Sequence, residues 1–142
     1  MRSPAEQHLG ITHIIHAHRT ATPEIERVVL LSAGGLVLCS DADAQPADAE
    51  RLAALASSLM SLTRAAAGAY AGGHIDGVAI TMDRRQLCLT PVDDQTSVVV
   101  LADAACDTGQ VAYVAAMMAS EISSVLDAGT PERPGRFFLQ VG

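Results

Sequence analysis

The stretch that decides the fold is Pro46–Gly73, PADAERLAALASSLMSLTRAAAGAYAGG, which is the longest helical pattern in the chain. Its leucines and one alanine recur at spacings of three and four, which predicts an apolar stripe packed on a core: Leu52, Leu55, Leu59, Leu62 and Ala66. The opposite side carries small uncharged residues where a solvated helix normally carries Glu and Lys: Ala54, Ser57, Ser61, Ala65 and Gly68, with Arg64 on their flank. Small residues allow another backbone to approach closely, so this side predicts a partner. An alanine-rich helix selected for propensity alone is the alternative.

The composition of the 142-residue chain predicts one globular domain. Hydrophobic residues make up 49% of it, enough for a real core. The net charge is −7, lysine is absent, and no cluster of five basic residues occurs, which argues against nucleic-acid binding. Because no apolar run reaches membrane-spanning length and the first ten residues lack a signal-peptide core, we expect a cytoplasmic protein without direct membrane insertion.

The segments before the long helix predict a short helix and a hairpin. Residues 1–8 are expected to form a flexible N-terminus, followed by a His-rich helix over Leu9–Arg19. Ile25–Leu31 ends in four consecutive apolar residues, VVLL, as in a strand covered on both faces. The glycines at 34–35 supply a tight turn, so Leu36–Cys39 should return as an antiparallel strand.

The segments after the long helix predict three strands and a last helix. The strands are Ile75–Met82, Gln86–Val92 and Thr96–Ala102, and their short connections require an antiparallel meander. Asp107 is a candidate N-cap for a helix that ends at about Leu126. The inward positions of this helix are apolar: Val111, Val114 or Ala115, Met118, Ile122 and Val125.

The complete pattern predicts an α+β fold, with one antiparallel sheet between two layers of helices. Residues 9–127 are assigned to a single domain and residues 128–142 to a C-terminal tail. Within that tail, Phe137–Leu139 either docks back onto the domain or remains free, and the sequence leaves both alternatives open.

The order of elements and the local motifs resemble the roadblock (dynein light-chain) family, especially its bacterial members. The motifs are VVLLSAGGLVLCS for the hairpin, AERLAALASSLMSLTRAAAGAYAGG for the long helix, VAITMDRRQLCLTPVDDQTSVVVLAD for the meander and DTGQVAYVAAMM for the last helix. The match covers about residues 9–127, and the short His-rich first helix is its departure from the family pattern. The resemblance implies a five-stranded antiparallel sheet in the order 2-1-5-4-3, a profilin-like plan, with the long helix on one face and the terminal helices on the other.

The resemblance also implies a non-enzymatic homodimer that regulates or scaffolds a Ras-like small GTPase in a bacterial signalling complex, which can itself be recruited to a membrane. Dimers in this family pair the long helices and join the strands that follow them. The expected partner and dimer interface is therefore Ala54, Ser57, Ser61, Arg64, Ala65, Gly68, Ile75, Gly77 and Ala79. A small-ligand sensor of PAS-like or profilin-like architecture is the alternative, weakened by an aromatic content of 3% and the absence of tryptophan.

Motifs for catalysis and for cofactor or metal binding are missing from the sequence. Neither the phosphate-binding G-x-x-x-x-G-K-[ST] nor the nucleophile elbow G-x-S-x-G occurs, so we expect no enzymatic activity and no bound cofactor. His13 and His16 present two imidazoles on one helical face, but a third ligand would have to come from His8 or His18 on another face. Surface histidines are therefore the interpretation, and a zinc or nickel site is the alternative. Three cysteines are predicted to be buried free thiols: Cys39, Cys88 and Cys106.

Overall fold

The computed structural model describes residues 2–128, which form one antiparallel sheet between helices. In chain order the elements are α1 (Pro4–Ala21), β1 (Ile25–Ser32), β2 (Val37–Ser40), α2 (Pro46–Ala69), β3 (Val78–Thr81), β4 (Arg85–Pro91), β5 (Thr96–Asp103) and α3 (Thr108–Ala128). The predicted α+β architecture and element order are confirmed. The prediction for Phe137–Leu139 lies outside the described residues.

The boundaries of α1 differ from the prediction. The helix begins at Pro4, not Leu9, and continues to Ala21. Ser3 caps its N-terminus, because the Ser3 hydroxyl accepts a hydrogen bond from the Glu6 backbone N–H at 3.2 Å. Pro4 lies in the first turn, where its missing N–H costs no hydrogen bond. These capping residues extend the helix through the segment predicted to be flexible.

β3 is shorter than the predicted strand Ile75–Met82. Its pairing with β4 begins only at Val78, which lies opposite Leu89, and ends at Thr81. The preceding Asp76 and Gly77 have low strand propensity, which explains the late start.

The sheet order is β2-β1-β5-β4-β3, and every neighbouring pair is antiparallel, as the resemblance implied. β1 and β5 form its centre, with Val28 opposite Val100 and Leu30 opposite Val98. β2 and β3 are the two edge strands.

Successive residues of the central strands point into two separate cores, because side chains alternate along a strand. Val28 and Leu30 pack against α1 and α3, whereas Val29 and Leu31 pack against α2. α3 buries the residues that the sequence predicted: Val111, Val114, Ala115, Met118, Ile122 and Val125. Asp107 caps this helix, since its carboxylate accepts the Gln110 N–H at 3.1 Å. The prediction of helices on both faces of the sheet is thus confirmed.

α2 buries a different stripe from the one predicted. Its buried residues are Ala49, Leu52, Ala53, Ala56 and Met60. Leu55 and Leu62 are 55% and 69% exposed, Leu59 is half-buried and Ala66 is exposed, so the predicted stripe is wrong except at Leu52 and partly at Leu59. The helix is rotated because Ala53 and Ala56 fit closely over the large side chains of β1 and β5.

A buried carboxylate links three elements. The Asp41 side chain is 1% exposed and accepts hydrogen bonds from Arg27 Nη1 at 2.7 Å and from the Val28 N–H at 2.9 Å. Arg27 also donates its Nε–H to Asp48, in the first turn of α2, at 3.1 Å. Arg19 of α1 lies 3.4 Å from Asp41. The Asp41 carboxylate therefore joins α1 to β1 directly and reaches the start of α2 through Arg27.

Asp41→Ala should lower the free energy of unfolding by about 2–4 kcal/mol, because it leaves two arginines without their shared buried counter-charge. The loss is smaller than for fully buried ions because both arginine side chains are 21% exposed and partly hydrated. Asp43→Ala is the matched control: its side chain is 76% exposed, and its removal should cost less than about 1 kcal/mol. Urea denaturation measures both, and equal losses would contradict the assigned role of Asp41.

Candidate partner-binding surface

α2 leaves most of its surface uncovered. In its most apolar 18-residue window, 22% of the residues are buried. By length and composition alone this helix could cross a membrane, a weak criterion that the core helices of water-soluble proteins also meet. Here its buried stripe packs on the sheet. α2 is therefore a covering helix with a large apolar area that the described chain does not bury.

The predicted interface residues of α2 point away from the sheet, with one exception. The exposed ones are Ala54, Ser61, Arg64, Ala65 and Gly68. A side chain added at Gly68 would meet nothing within 4 Å. Ser57 is half-buried instead, and its hydroxyl donates a hydrogen bond to the Ala33 carbonyl at 3.0 Å. Ser57 thus helps to hold the β1–β2 turn against α2.

Sequence reasoning missed the leucines of this surface because it assigned them to the core. Leu55 and Leu62 lie seven residues apart, two turns along one side of α2, and both project into solvent. We call the exposed area the α2 outer surface and define it as Ala54, Leu55, Ser61, Leu62, Ala65, Ala66 and Gly68. It combines two large apolar side chains with an adjoining low-relief area.

The edge of the sheet beside α2 is also open. Within residues 2–128, no strand pairs with the outer side of β3, whose sequence VAIT contains no charge. Ala79 is exposed and lies opposite Cys88 of β4. Gly77 is exposed just before the strand, and Ile75 is half-buried against the core beneath α2. An uncharged edge strand is a site at which another chain can add a strand.

Arg64 lies at the flank of this surface. It lines a cleft of about 520 Å³ together with His74, Ile75 and the β4–β5 turn that contains Asp93 and Asp94. Asp93 is fixed within that turn, because its carboxylate accepts three hydrogen bonds from the following residues at 2.7–2.8 Å. Arg64 and this acidic turn therefore line the same cleft from opposite sides.

The histidines are dispersed. His13 and His16 are exposed on α1, while His18 Nε2 lies 2.9 Å from a carboxylate oxygen of Glu121 on α3. Among the residues that the structure describes, no three His, Cys, Asp or Glu side chains are grouped so that they could hold a metal ion. The described geometry thus offers no assembled site for the zinc or nickel alternative.

The cysteines are free thiols in different environments. Cys39 and Cys88 are buried as predicted, whereas Cys106 is only half-buried because it lies in the loop before α3. Burial raises the pKa of Cys88, partly offset by a hydrogen bond with Thr90. Loss of hydration, followed by the negative charge of nearby Glu24, also raises the pKa of Cys106. Both thiols therefore stay protonated at neutral pH, unlike an activated nucleophile.

Alkylation of Cys106 by iodoacetamide should require a higher pH than alkylation of the unfolded chain. A raised pKa means that less thiolate is present at any given pH, so the curve of rate against pH shifts to higher pH. Mass spectrometry of the labelled peptide measures the rate, and the same peptide in urea is the control. A folded-state curve at lower pH than the control would contradict the assignment.

The chain is similar to one protein family and to several proteins of known structure. A model of the Roadblock/LC7 domain family matches residues 12–102. A Roadblock/LC7 domain from Streptomyces avermitilis is 31% identical, covers 78% of this chain and 96% of its own, and has a TM-score of 0.65. Myxococcus xanthus MglB is 17% identical over 93% of this chain and 97% of its own, with a TM-score of 0.80. A structure described as MglB with a tetrameric arrangement is 16% identical over 92% and 95%, with a TM-score of 0.77. No curated protein matches the sequence.

Proposed function

Because the chain belongs to the Roadblock/LC7 family, we propose that it is a non-enzymatic homodimer that binds a Ras-like small GTPase and modulates its nucleotide cycle or location in a bacterial signalling complex. The observation that carries this proposal is the α2 outer surface, an apolar helix face beside an open, uncharged sheet edge. The family resemblance supplies the class of partner. The small-ligand sensor is not favoured, because the family match extends over most of the domain.

Self-association is the first step of the proposal. In the dimer, the α2 helices of two copies lie side by side and their β3 strands pair into one continuous sheet. The exposed Leu55 and Leu62 supply the apolar area, and the small residues Ser61 and Gly68 allow close approach. The arrangement named for one MglB structure gives a related case of self-association in a protein of the same fold.

GTPase binding is the second step. Two paired α2 helices present a broad platform of low relief, on which a globular GTPase buries on the order of 800 Å² per partner in a complex of standard size. The GTPase brings its own nucleotide, since this chain has no phosphate-binding glycine loop. Arg64 lies within α2 at a cleft that the chain's own β4–β5 turn also lines, and not at a projecting tip, so it is poorly placed to enter a nucleotide pocket. The proposed regulation therefore acts by repositioning the switch loops of the GTPase.

Ser61→Arg should weaken the dimer, because a long charged side chain replaces a hydroxymethyl group in a tight helix contact. Light scattering after size exclusion should give about twice the 14.7 kDa chain mass for the parent and a lower mass for the variant. Ser120→Arg makes the same change at an exposed position of α3, on the other face of the sheet, and should leave the dimer intact. A monomeric parent at the concentrations used for binding would contradict self-association.

Gly68→Arg should abolish binding to the Ras-like GTPase encoded nearest to this gene, because it places a bulky cation on the α2 outer surface. Titration calorimetry measures binding, Ser120→Arg again serves as the control, and light scattering shows whether the variant remains a dimer. Undiminished binding by Gly68→Arg would place the GTPase elsewhere on the molecule.

Arg64→Ala should change the rate of GTP hydrolysis in the complex by less than about tenfold, near 1.4 kcal/mol. An arginine finger contributes roughly 10³–10⁵ in rate, so the two roles are well separated. Single-turnover hydrolysis at saturating regulator measures the effect. A thousandfold loss at unchanged affinity would identify Arg64 as a finger and contradict regulation through the switch loops.

A further inference from the structure

A groove lies along the side of α1 that faces away from α3. It encloses about 630 Å³ between α1 and the loop that follows β2. Ile15 and Ile25, which are 1% and 2% exposed, belong to its lining and give it an apolar floor. Leu9 lies at its rim and is 70% exposed, and Asp43 on the opposite rim has a side chain that is 76% exposed. The groove therefore has an apolar floor, and on one rim Asp43 is paired with Arg19 at 3.0 Å.

A shallower depression continues from this groove across the outer side of α1. It has a volume of about 550 Å³, and its lining includes Glu6 and Gly10. Leu9 and His13 line both the depression and the groove, so the two adjoin and define a path over the helix past these two side chains. Gly10 has no side chain to obstruct that path.

The path starts where α3 ends. A Cβ atom built at Gly10 lies 3.6 Å from Cγ1 of Val125, so the last turn of α3 packs against α1 at the depression. α3 ends at Ala128, one turn beyond Val125. The chain that follows α3 therefore begins beside the depression.

The sequence of residues 129–142, GTPERPGRFFLQVG, suits this path in length. Gly129–Gly135 spans at most about 23 Å when extended, twice the 10–12 Å diameter of a helix with its side chains. Pro131 and Pro134 favour an extended chain over this part. The segment can therefore cross α1 and bring Phe137 to the groove.

The last residues of the same segment are apolar, as is the floor of the groove. In an extended chain Phe137, Leu139 and Val141 project to one side, because side chains alternate. Three apolar side chains thus match the apolar floor. Arg133 and Arg136 precede them and complement Glu6, which lines the depression, whereas Asp43 on the far rim of the groove is already paired with Arg19 at 3.0 Å.

We infer that the groove on α1 is a docking site for the chain's own C-terminal segment Phe137–Val141. Docking covers Leu9 and the apolar floor, and it fastens α1 to the end of α3 from outside. The occupant is the same molecule, because the end of α3 lies beside the path and the intervening residues suffice to cross it.

A single indole tests the inference in the full chain. The chain contains no tryptophan, so Phe137→Trp introduces the sole indole at the inward-facing position. We expect blue-shifted emission and an acrylamide quenching constant several-fold lower than in urea. Adding Leu9→Asp should restore quenching to the unfolded value. Adding Leu36→Asp is the matched control, because Leu36 is also 70% exposed but lies at the β1–β2 turn, and it should leave the indole shielded.

Three outcomes would overturn the inference. An indole that is as accessible in the folded chain as in urea shows that the segment does not dock. Shielding that survives Leu9→Asp places the segment on another surface, such as the α2 outer surface. Shielding that disappears on dilution shows that the groove receives the segment of a second copy.

Discussion

The width of the sheet determines how many helices are needed to cover each of its faces. Five strands about 4.8 Å apart span about 19 Å, whereas a helix with its side chains is about 10–12 Å wide. α1 and α3 share one face, but α2 covers the other alone. Four sheet residues that pack against this core are still only half-buried: Val37, Val78, Ile80 and Leu101. The α2 outer surface is the exposed apolar area of this face, and a contiguous apolar patch marks an interaction site more than scattered exposed side chains do.

The alanines of α2 have two different roles that the sequence does not distinguish. Ala53 and Ala56 are fully buried. Small side chains fit there because the valine and leucine side chains of β1 and β5 already fill the space between the helix and the sheet. Ala54 and Ala65 are exposed and keep the outer surface low in relief. The hydrophobic periodicity correctly predicted the helix. The leucines, however, predicted the wrong rotation of α2 about its axis relative to the sheet. The rotation depends on the volume of the opposing sheet, which is a property of the folded state that a local pattern does not contain.

The parts of the fold that could be predicted depend on residues close together in the sequence, whereas several of the others depend on residues far apart in it. The two-sided strand Ile25–Ser32 and the short meander turns are local features, and they sufficed for the sheet and its order once the family resemblance was added. α1 was underestimated at its start, where Ser3 and Pro4 begin the helix through a local capping signal that the prediction did not use. Its packing depends on distant contacts, because Ile11 and Ile15 enter the core and Arg19 approaches Asp41. The pairing of Asp41 with arginines from two elements likewise leaves no spacing signal, since it exists only after β1, β2 and α1 have assembled. The small residues of the candidate surface could be predicted from the sequence. Its leucines could not, because the hydrophobic pattern assigned them to the core and so gave the wrong rotation of α2.

The two faces of the sheet suit occupants of different kinds. The α2 face is broad, nearly uncharged and continuous with an open strand edge, so it suits a large folded partner or a second copy. The α1 groove has an apolar floor between the helix and the loop after β2, so it suits a short extended segment. Because β1 and β5 lie between them with fully buried side chains on both sides, an occupant of one face does not block the other. Any coupling between the faces must pass through these central strands, whose close packing favours independent binding over a transmitted rearrangement.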